Sequence, residues 1–380
     1  MILYLLFFFV CFLIEYQKEH KMKSIVLFVI MLYIFLCFGY MTGSDWRGYE
    51  PGYNSQTYWR MEDTGEIGYV IITKFFAFFI HDFWVYNGLM KCLYLASLLK
   101  FLKCFSPHPY IAVALGFSNS LLFMLIDCPL RFMMALTLVL FSFVLLISKR
   151  NKRNIIISVV LLLLSVTIHT SMVVMVIFVL LAYYAPMFSK LGSFSIILLF
   201  VASLMIAMFS GVFDFIFYDI MPIFSGDRFE NYTLKEQSTL MTINTIRYVV
   251  LLLVVLSNKK SILLSQYGTY VFFYACLYFL FFPITYSIPT MFRLNIFFGL
   301  FADISFAHIL CNWSKNSIQR KCESVIILFV VLFMLCRNCI EDEKLTPYSN
   351  SIPYIIKGQH LPFPYRDSYN YIHHESDYMF

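Results

Sequence analysis

The sequence predicts an all-α, polytopic helical membrane protein with about twelve transmembrane helices and one interfacial amphipathic helix. Three observations carry that prediction. Of 380 residues, 61% are hydrophobic and only 13% charged, and the mean hydropathy of +0.76 lies far above what a soluble domain needs. Apolar windows of about 14 to 22 residues recur along the whole chain, the length a helix needs to cross hydrocarbon. Charge is confined to the short gaps between them, as expected where each span must satisfy its own backbone inside lipid.

The elements follow in order. Residues 1 to 14 lack a basic leader and a small-residue cleavage site, so they read as a short first span and not a removable signal. Further spans are expected over 24–41, 84–103, 110–126, 130–148, 154–168, 171–188, 192–212, 242–257, 267–283, 290–310 and 323–338. Lys and Arg collect on the cytoplasmic side of membrane proteins. Here they cluster at Lys18, Lys21 and Lys23, at Lys149, Arg150, Lys152 and Arg153, at Lys259 and Lys260, and at Lys315, Arg320 and Lys321. Placing those gaps inside is consistent with twelve spans and puts both termini outside. The apolar stretch 67–80, bounded by Glu66 and by His81 and Asp82, then lies along the outer surface, because a thirteenth span there would invert the 149–153 cluster. Residues 1–340 read as one polytopic domain and 341–380 as a polar, Tyr-rich external tail. The net charge of +6 reports this orientation, and no nucleic-acid partner is expected.

Carboxylates agree with that orientation. Only Glu15, Glu19 and Glu323 fall inside, whereas the others concentrate in the loop 42–66, the loop 213–241 and the tail. The informative basic residues are those that break the trend. Arg131 opens the fifth span in "DCPLRFMMA", Arg293 opens the eleventh in "PTMFRLNIFF", His169 lies at the turn after the sixth, and Arg47 lies in "GYMTGSDWRGYEPGYN". A guanidinium forks onto phosphate oxygens and stays charged, so these groups suit a bilayer-anchored pyrophosphate. Each has a plainer reading. Arg131 and Arg293 would snorkel to headgroups or pair with Asp127 or Asp303. His169 would pack against Thr167, Thr170 and Ser171, and Asp45 would pair with Arg47. Tyr40, Trp46, Tyr49, Tyr53, Tyr58 and Trp59 would form an interfacial belt. The same aromatic faces and carboxylates also suit sugar rings.

No metal site is expected: Cys336 and Cys339 form a single CxxC with no second pair or nearby histidine. The ten cysteines are mostly mid-span, where they read as small apolar packing residues, and His373 and His374 decorate the tail. No glycine-rich phosphate loop, HExxH or GxSxG occurs, so no cofactor is expected.

The ordered set "YMTGSDWRGYEPGYN", "EIGYVIITKFFAFF", "LRFMMALTLVLFSF", the basic turn, "SVTIHTSMVVMVIF" and "MFRLNIFF" resembles the EpsG family of bacterial polysaccharide polymerases, relatives of Wzy-type O-antigen polymerases. The resemblance covers about residues 1 to 350. The family's "GTDY" is similar to Gly43, Ser44, Asp45 and Trp46 here, and its "IRQ.IA" to "LRFMMA", which keeps Arg131 and Ala135 but lacks the Gln. Its later His and Arg correspond to His169 and Arg293. The resemblance implies glycosyl transfer at the outer face of the bacterial cytoplasmic (inner) membrane, acting on undecaprenyl-pyrophosphate-linked oligosaccharides beside a flippase and a chain-length regulator. On that footing Arg131, Arg293 and Arg47 are expected to hold the donor pyrophosphate. Asp45 or His169 is the general base, and Tyr49 and Glu66 are sugar contacts. Arginines would take the electrostatic role of a metal. The loop 213–241, with Asp219, Asp227, Arg228 and Glu230, is expected to act as a lid or a rail for the glycan.

Other classes stay in view. An O-antigen ligase or another lipid-linked-sugar glycosyltransferase shares the same residue logic. A lipid-glycan flippase would show internal repeats and charges deep within spans. The sequence has no repeat, and its mid-span ionisable residues are chiefly Lys91, Arg247 and Asp303.

Overall fold

The computed structural model describes residues 1–17, 22–43, 45–55, 66–118, 120–148, 151–208, 243–287, 292–312, 318–341, 345 and 348–373. The loop 213–241 lies outside the described residues, as do Ser44, Tyr58, Trp59 and His374. The chain forms two compact units.

The first unit comprises Met1–Cys104, His108–Leu180 and Val331–Phe380. Its helices are α1 (Ile2–Gln17), α2 (Met22–Cys37), α3 (Trp46–Ser55), α4 (Ile67–Phe79), α5 (Phe83–Phe105), α6 (Pro109–Gly116), α7 (Leu130–Ser148), α8 (Lys152–Ile168) and α9 (Met172–Leu180). The second comprises Phe105–Pro107 and Leu181–Val330. It holds α10 (Ala185–Phe188), α11 (Ser193–Met208), α12 (Ile243–Ser257), α13 (Lys259–Leu263), α14 (Gly268–Ser287), α15 (Phe292–Cys311) and the first part of α16 (Ile318–Glu341). Among the described residues, Leu130–Ser148, Gly268–Thr285 and Ile318–Ile340 are long and apolar enough to cross a membrane, and several shorter apolar helices accompany them. α5 has 23 residues but carries Lys91, Lys100 and Lys103. Two expected spans are not continuous helices. In 110–126, α6 stops at Gly116, where the Ser118 hydroxyl bonds the Leu115 carbonyl in competition with the helix ladder; a π-turn follows at Phe123–Asp127. In 171–188, the helix tightens to a 3-10 turn at Leu181–Tyr184 just before Pro186, which cannot donate.

Large apolar side chains are exposed on the helix flanks. On α4, Ile67, Ile71, Phe75 and Phe78 are more than half exposed, whereas Tyr69, Val70, Thr73 and Ala77 are buried. On α8, Ile156 and Leu163 are likewise more than half exposed. Water would drive such surfaces to aggregate; lipid solvates them. Small residues draw the helices together where apolar burial cannot. Ser142 Oγ donates to the Ser158 carbonyl at 3.0 Å, and Ser158 Oγ donates back to the Ser142 carbonyl at 3.1 Å, which locks α7 to α8. α4 crosses α8 where Gly68 meets Thr167, so closely that a Cβ on residue 68 would fall 2.2 Å from Thr167 Oγ1. In the second unit, aromatic packing holds α12 and α15 to α14. Tyr248 stacks on Phe282 at 3.5 Å, and Tyr274 stacks on Phe301 at 4.6 Å.

The segment after residue 345 folds back on the first unit. β1 (Gly39–Tyr40) pairs antiparallel with β2 (Ser349–Asn350) in the register Gly39 to Asn350 and Tyr40 to Ser349. This pairing caps α2, whose last carbonyls have no partner within the helix. Asn350 Nδ2 bonds the Ile34 carbonyl at 3.0 Å, Tyr348 OH bonds that of Phe35 at 2.6 Å, and Ser351 N bonds that of Phe38 at 2.7 Å. Two short helices follow, α17 (Ile352–Lys357) and α18 (Phe363–His373). They close over α3. Buried Arg366 donates to Glu50 Oε2 at 2.5 Å and lies among the rings of Tyr40, Trp46, Trp84 and Phe363 at 5.5–6.0 Å.

After β1 the chain turns at Gly43, which has φ +80 and presses against the π-turn. A Cβ there would lie 2.5 Å from the Asp127 carbonyl oxygen. Gly43→Ala is therefore expected to destabilise the folded protein by about 2 kcal/mol or more. Gly48→Ala, where nothing lies within 4 Å of the new Cβ, should change stability little; thermal unfolding of the two detergent-solubilised variants checks the contrast.

Candidate functional site

In the first unit, side chains from four segments form one cluster around the Glu66 carboxylate: Arg131 and His169 bind it, and Tyr49 binds Arg131. Glu66 directly precedes α4, where negative charge suits the helix dipole. Its side chain is 3% exposed, and both oxygens are engaged. Oε2 accepts from Arg131 Nη1, and Oε1 lies 2.7 Å from His169 Nδ1. Arg131 Nε donates to the Tyr49 hydroxyl at 2.8 Å, and its guanidinium lies 5.7 Å from the centre of that ring.

Local structure explains each position. Cys128, in the left-handed region at φ 54, ends the π-turn, and Pro129 then starts α7 so that Arg131 falls in its first turn. A cation there opposes the helix dipole, so Arg131 needs the adjoining carboxylate. His169 caps α8: its extended backbone ends the helix, its N–H bonds the Ser165 carbonyl at 3.0 Å, and its carbonyl accepts from Met172 N at the start of α9. The imidazole packs edge-on to Phe132 at 5.9 Å. Tyr49 lies on α3, whose first turn is closed by the Asp45 carbonyl accepting from Gly48 N and Tyr49 N.

The electrostatics follow from this geometry. Burial opposes ionisation of Glu66, but the hydrogen bond from His169 and the charge of Arg131 outweigh it and hold the carboxyl below the usual carboxylate range. Burial pushes the Tyr49 phenol up to about 12, against the pull of Arg131. The phenol therefore stays protonated, accepts from Arg131 and keeps its own proton to donate. Arg131 retains its Nη2 amino group, and its side chain is 29% exposed. The result is a guanidinium fixed through Nε and Nη1, with Nη2 left to donate.

The structure thus brings Arg131, His169, Tyr49 and Glu66 together. Arg131 is paired with Glu66, not with Asp127. Glu66, expected as a sugar contact, is turned inward to orient a cation and an imidazole. Asp45 stands beside this group, half-buried, with its charge felt at Tyr49 and Cys128. Arg47 is bound to the tail: Nε donates to Asp367 Oδ1 at 2.8 Å, Nη2 to the Asp367 carbonyl and Nη1 to the Gly43 carbonyl. Arg293 belongs to the second unit and stands half-buried in the first turn of α15. Among the described residues no group of three or more His, Cys, Asp or Glu could hold a metal ion.

A family model described as the EpsG family matches residues 22–355. The chain belongs to the EpsG family. Membership makes it a membrane protein of a polysaccharide polymerase family. The EpsG match takes in every residue of the Glu66 cluster and stops within α17, before Arg366 and Asp367. No curated protein and no solved structure matches the chain.

Because the Glu66 carboxyl is held below its ordinary value of 4.5, its stabilisation is complete above that pH. It is lost as pH falls through the lowered value of the folded state. Glu66→Gln should cost about 3 kcal/mol at neutral pH, since it strands a partly buried guanidinium. The wild-type advantage over that variant should shrink as pH drops below 4.5, as read from thermal unfolding of the two proteins across pH.

Proposed function

We propose that this EpsG protein is a metal-independent glycosyltransferase that polymerises undecaprenyl-pyrophosphate-linked oligosaccharide repeat units into a surface polysaccharide at the outer face of the cytoplasmic membrane. The observation that carries the reading is Arg131, held by Glu66 and Tyr49 beside a histidine on the same carboxylate. Pyrophosphate is already a good leaving group, so catalysis needs neutralisation of its growing charge and orientation of the acceptor hydroxyl. In the proposed reaction Arg131 Nη2 donates to a phosphate oxygen of the donor. Glu66 holds Nδ1 of His169, so Nε2 is the basic nitrogen that removes the acceptor proton. The acceptor oxygen bonds to the donor anomeric carbon, the bond from that carbon to phosphate breaks, and the lipid pyrophosphate leaves with the electron pair. Asp45 orients the acceptor. Arg293 keeps the role its sequence position suggests, a guanidinium at a helix start suited to phosphate oxygens. Arg47 serves the tail instead.

The positive-inside pattern supports twelve spans, external termini and an α4 that lies along the outer surface with its phenylalanines in lipid. A flippase and a chain-length regulator of the same pathway are the proposed partners.

The test is deletion of the gene in its host, restoration with wild type or variants, and sizing of lipid-linked and surface glycans on a gel. Wild type should restore a ladder. Arg131→Ala and His169→Ala should each lower chain extension by about 10²–10³, leaving single repeat units exported but unextended. Arg131→Lys should recover only part, because an ammonium lacks the planar set of donors that spans Tyr49, Glu66 and a phosphate oxygen. Long chains accumulating on the lipid carrier after deletion would make the protein a ligase, and repeat units trapped on the inner leaflet would make it a flippase.

A further inference from the structure

The sequence of α3 does not hold a helix by itself. It is ten residues long and contains Gly48, Pro51 and Gly52; glycine and proline are the poorest helix formers, and at this length even a good helix is marginal. Its shape therefore comes from what it packs against. Tyr49 and Tyr53, four residues apart, share one face. Tyr49 accepts from Arg131 Nε at 2.8 Å, and Tyr53 donates to the Ile80 carbonyl and stacks on Tyr86 at 4.8 Å. Trp46 and Glu50 share another face, which the tail covers. Phe363 lies edge-on to Trp46 at 5.7 Å, and Arg366 donates Nη1 to Glu50 Oε2 at 2.5 Å and Nε to the Leu361 carbonyl at 2.7 Å.

The pairing across this second face constrains α3 strongly because it is buried. Glu50 is 4% and Arg366 5% exposed. Without the guanidinium, the carboxylate would keep one donor among the described residues, Trp84 Nε1 at 3.2 Å. A buried charge left so is costly, and a turn of α3 that carried Glu50 toward water would take Tyr49, the preceding residue, away from Arg131. A second tie is more exposed. Arg47 Nε donates to Asp367 Oδ1 at 2.8 Å and Nη1 to the Gly43 carbonyl at 3.0 Å, which joins the tail to the turn that leads into α3. Exposed pairs hold less than buried ones, so Asp367 ranks below Arg366.

We propose that the tail positions the site, with Arg366 as its main positioning residue. Arg366 fixes α3 through Glu50, α3 fixes Tyr49, and the Tyr49 hydroxyl fixes Nε of Arg131 so that Nη2 is aimed at the donor phosphate. Arg366 and Asp367 act through other residues and touch no reacting atom. The inference rests on the reading that Arg131 serves glycosyl transfer; the linkage from the tail to Tyr49 stands on the contacts alone.

The test is a double-mutant cycle between the tail and Tyr49 in the deletion host. The full-length protein is restored as wild type, Arg366→Met, Tyr49→Phe and the double variant. Chain extension is divided by the amount of protein in the membrane, so that lost stability drops out of the ratio. Each single variant should lower the ratio about tenfold, since small displacements of a catalytic group are costly. The double variant should fall no further than the lower single, because both changes cut one chain of contacts. A purely structural tail predicts a ratio unchanged by Arg366→Met, or a double variant near the roughly hundredfold product of two independent losses; either result overturns the proposal. So does a Tyr49→Phe protein that extends chains as wild type does. If Arg366→Met does not reach the membrane, Asp367→Ala, which spares the buried pair, carries the same comparison with an expected loss of about threefold. The defect that deletion leaves scores the polymerase reading separately: exported single repeat units keep it, whereas long chains on the lipid carrier or units trapped on the inner leaflet remove it. The positioning is scored by the share of that defect each variant leaves unrepaired, whichever defect it is.

Discussion

The carboxylate of Glu66 is the constraint on which the site depends. It is nearly inaccessible, and water cannot satisfy it, so its ionised form persists only because Arg131 and His169 hold it. The dependence runs both ways. Arg131 stands at the positive end of α7, where a cation is disfavoured, and the imidazole of His169 needs a fixed partner at Nδ1 to be oriented. Three helix termini, those of α4, α7 and α8, are thereby tied together at one end of the first unit by charge rather than by apolar packing. In lipid, apolar packing between helices brings little net gain, so helix contacts rest more on such polar ties and on close packing.

The close approach of α4 to α8 is what allows it. Gly68 lets the backbone of α4 touch Thr167, two residues before the histidine and two after the glutamate. Gly43 does the same for the loop below, resting on the π-turn that aims α7. The glycines and the charges are therefore parts of one device: backbones without Cβ atoms come near enough for short polar side chains to meet.

Much of this was legible in the sequence. Apolar windows pointed to an all-α membrane protein, and α7 runs over the same residues, 130–148, that its apolar run marks out. Arg131 and His169 stood out as basic groups that break the positive-inside trend, Tyr49 and Glu66 were expected as sugar contacts on the family resemblance, and the ordered motifs pointed to the family. Their mutual arrangement was not legible. Glu66 is 65 residues from Arg131 and 103 from His169, and no local pattern encodes a contact across such distances. The two broken helices escaped because hydropathy is blind to a hydroxyl competing for a carbonyl or to a proline one turn ahead. The role of the tail escaped for a related reason. Polar, Tyr-rich composition reads as solvated decoration, whereas Arg366, Tyr348 and Asn350 find their partners more than 300 residues earlier.

The tail shows how far the chain reaches to pair a buried polar group. At the end of α2, Asn350, Tyr348 and Ser351 arrive from far along the chain to satisfy carbonyls that the helix leaves open. Arg366 arrives to neutralise Glu50, which also accepts from Trp84 Nε1 at 3.2 Å. Asp82 divides its two oxygens between the first turn of α5 and His360. The chain pairs buried polar groups over long distances even when the ordering of some thirty tail residues is the entropic cost.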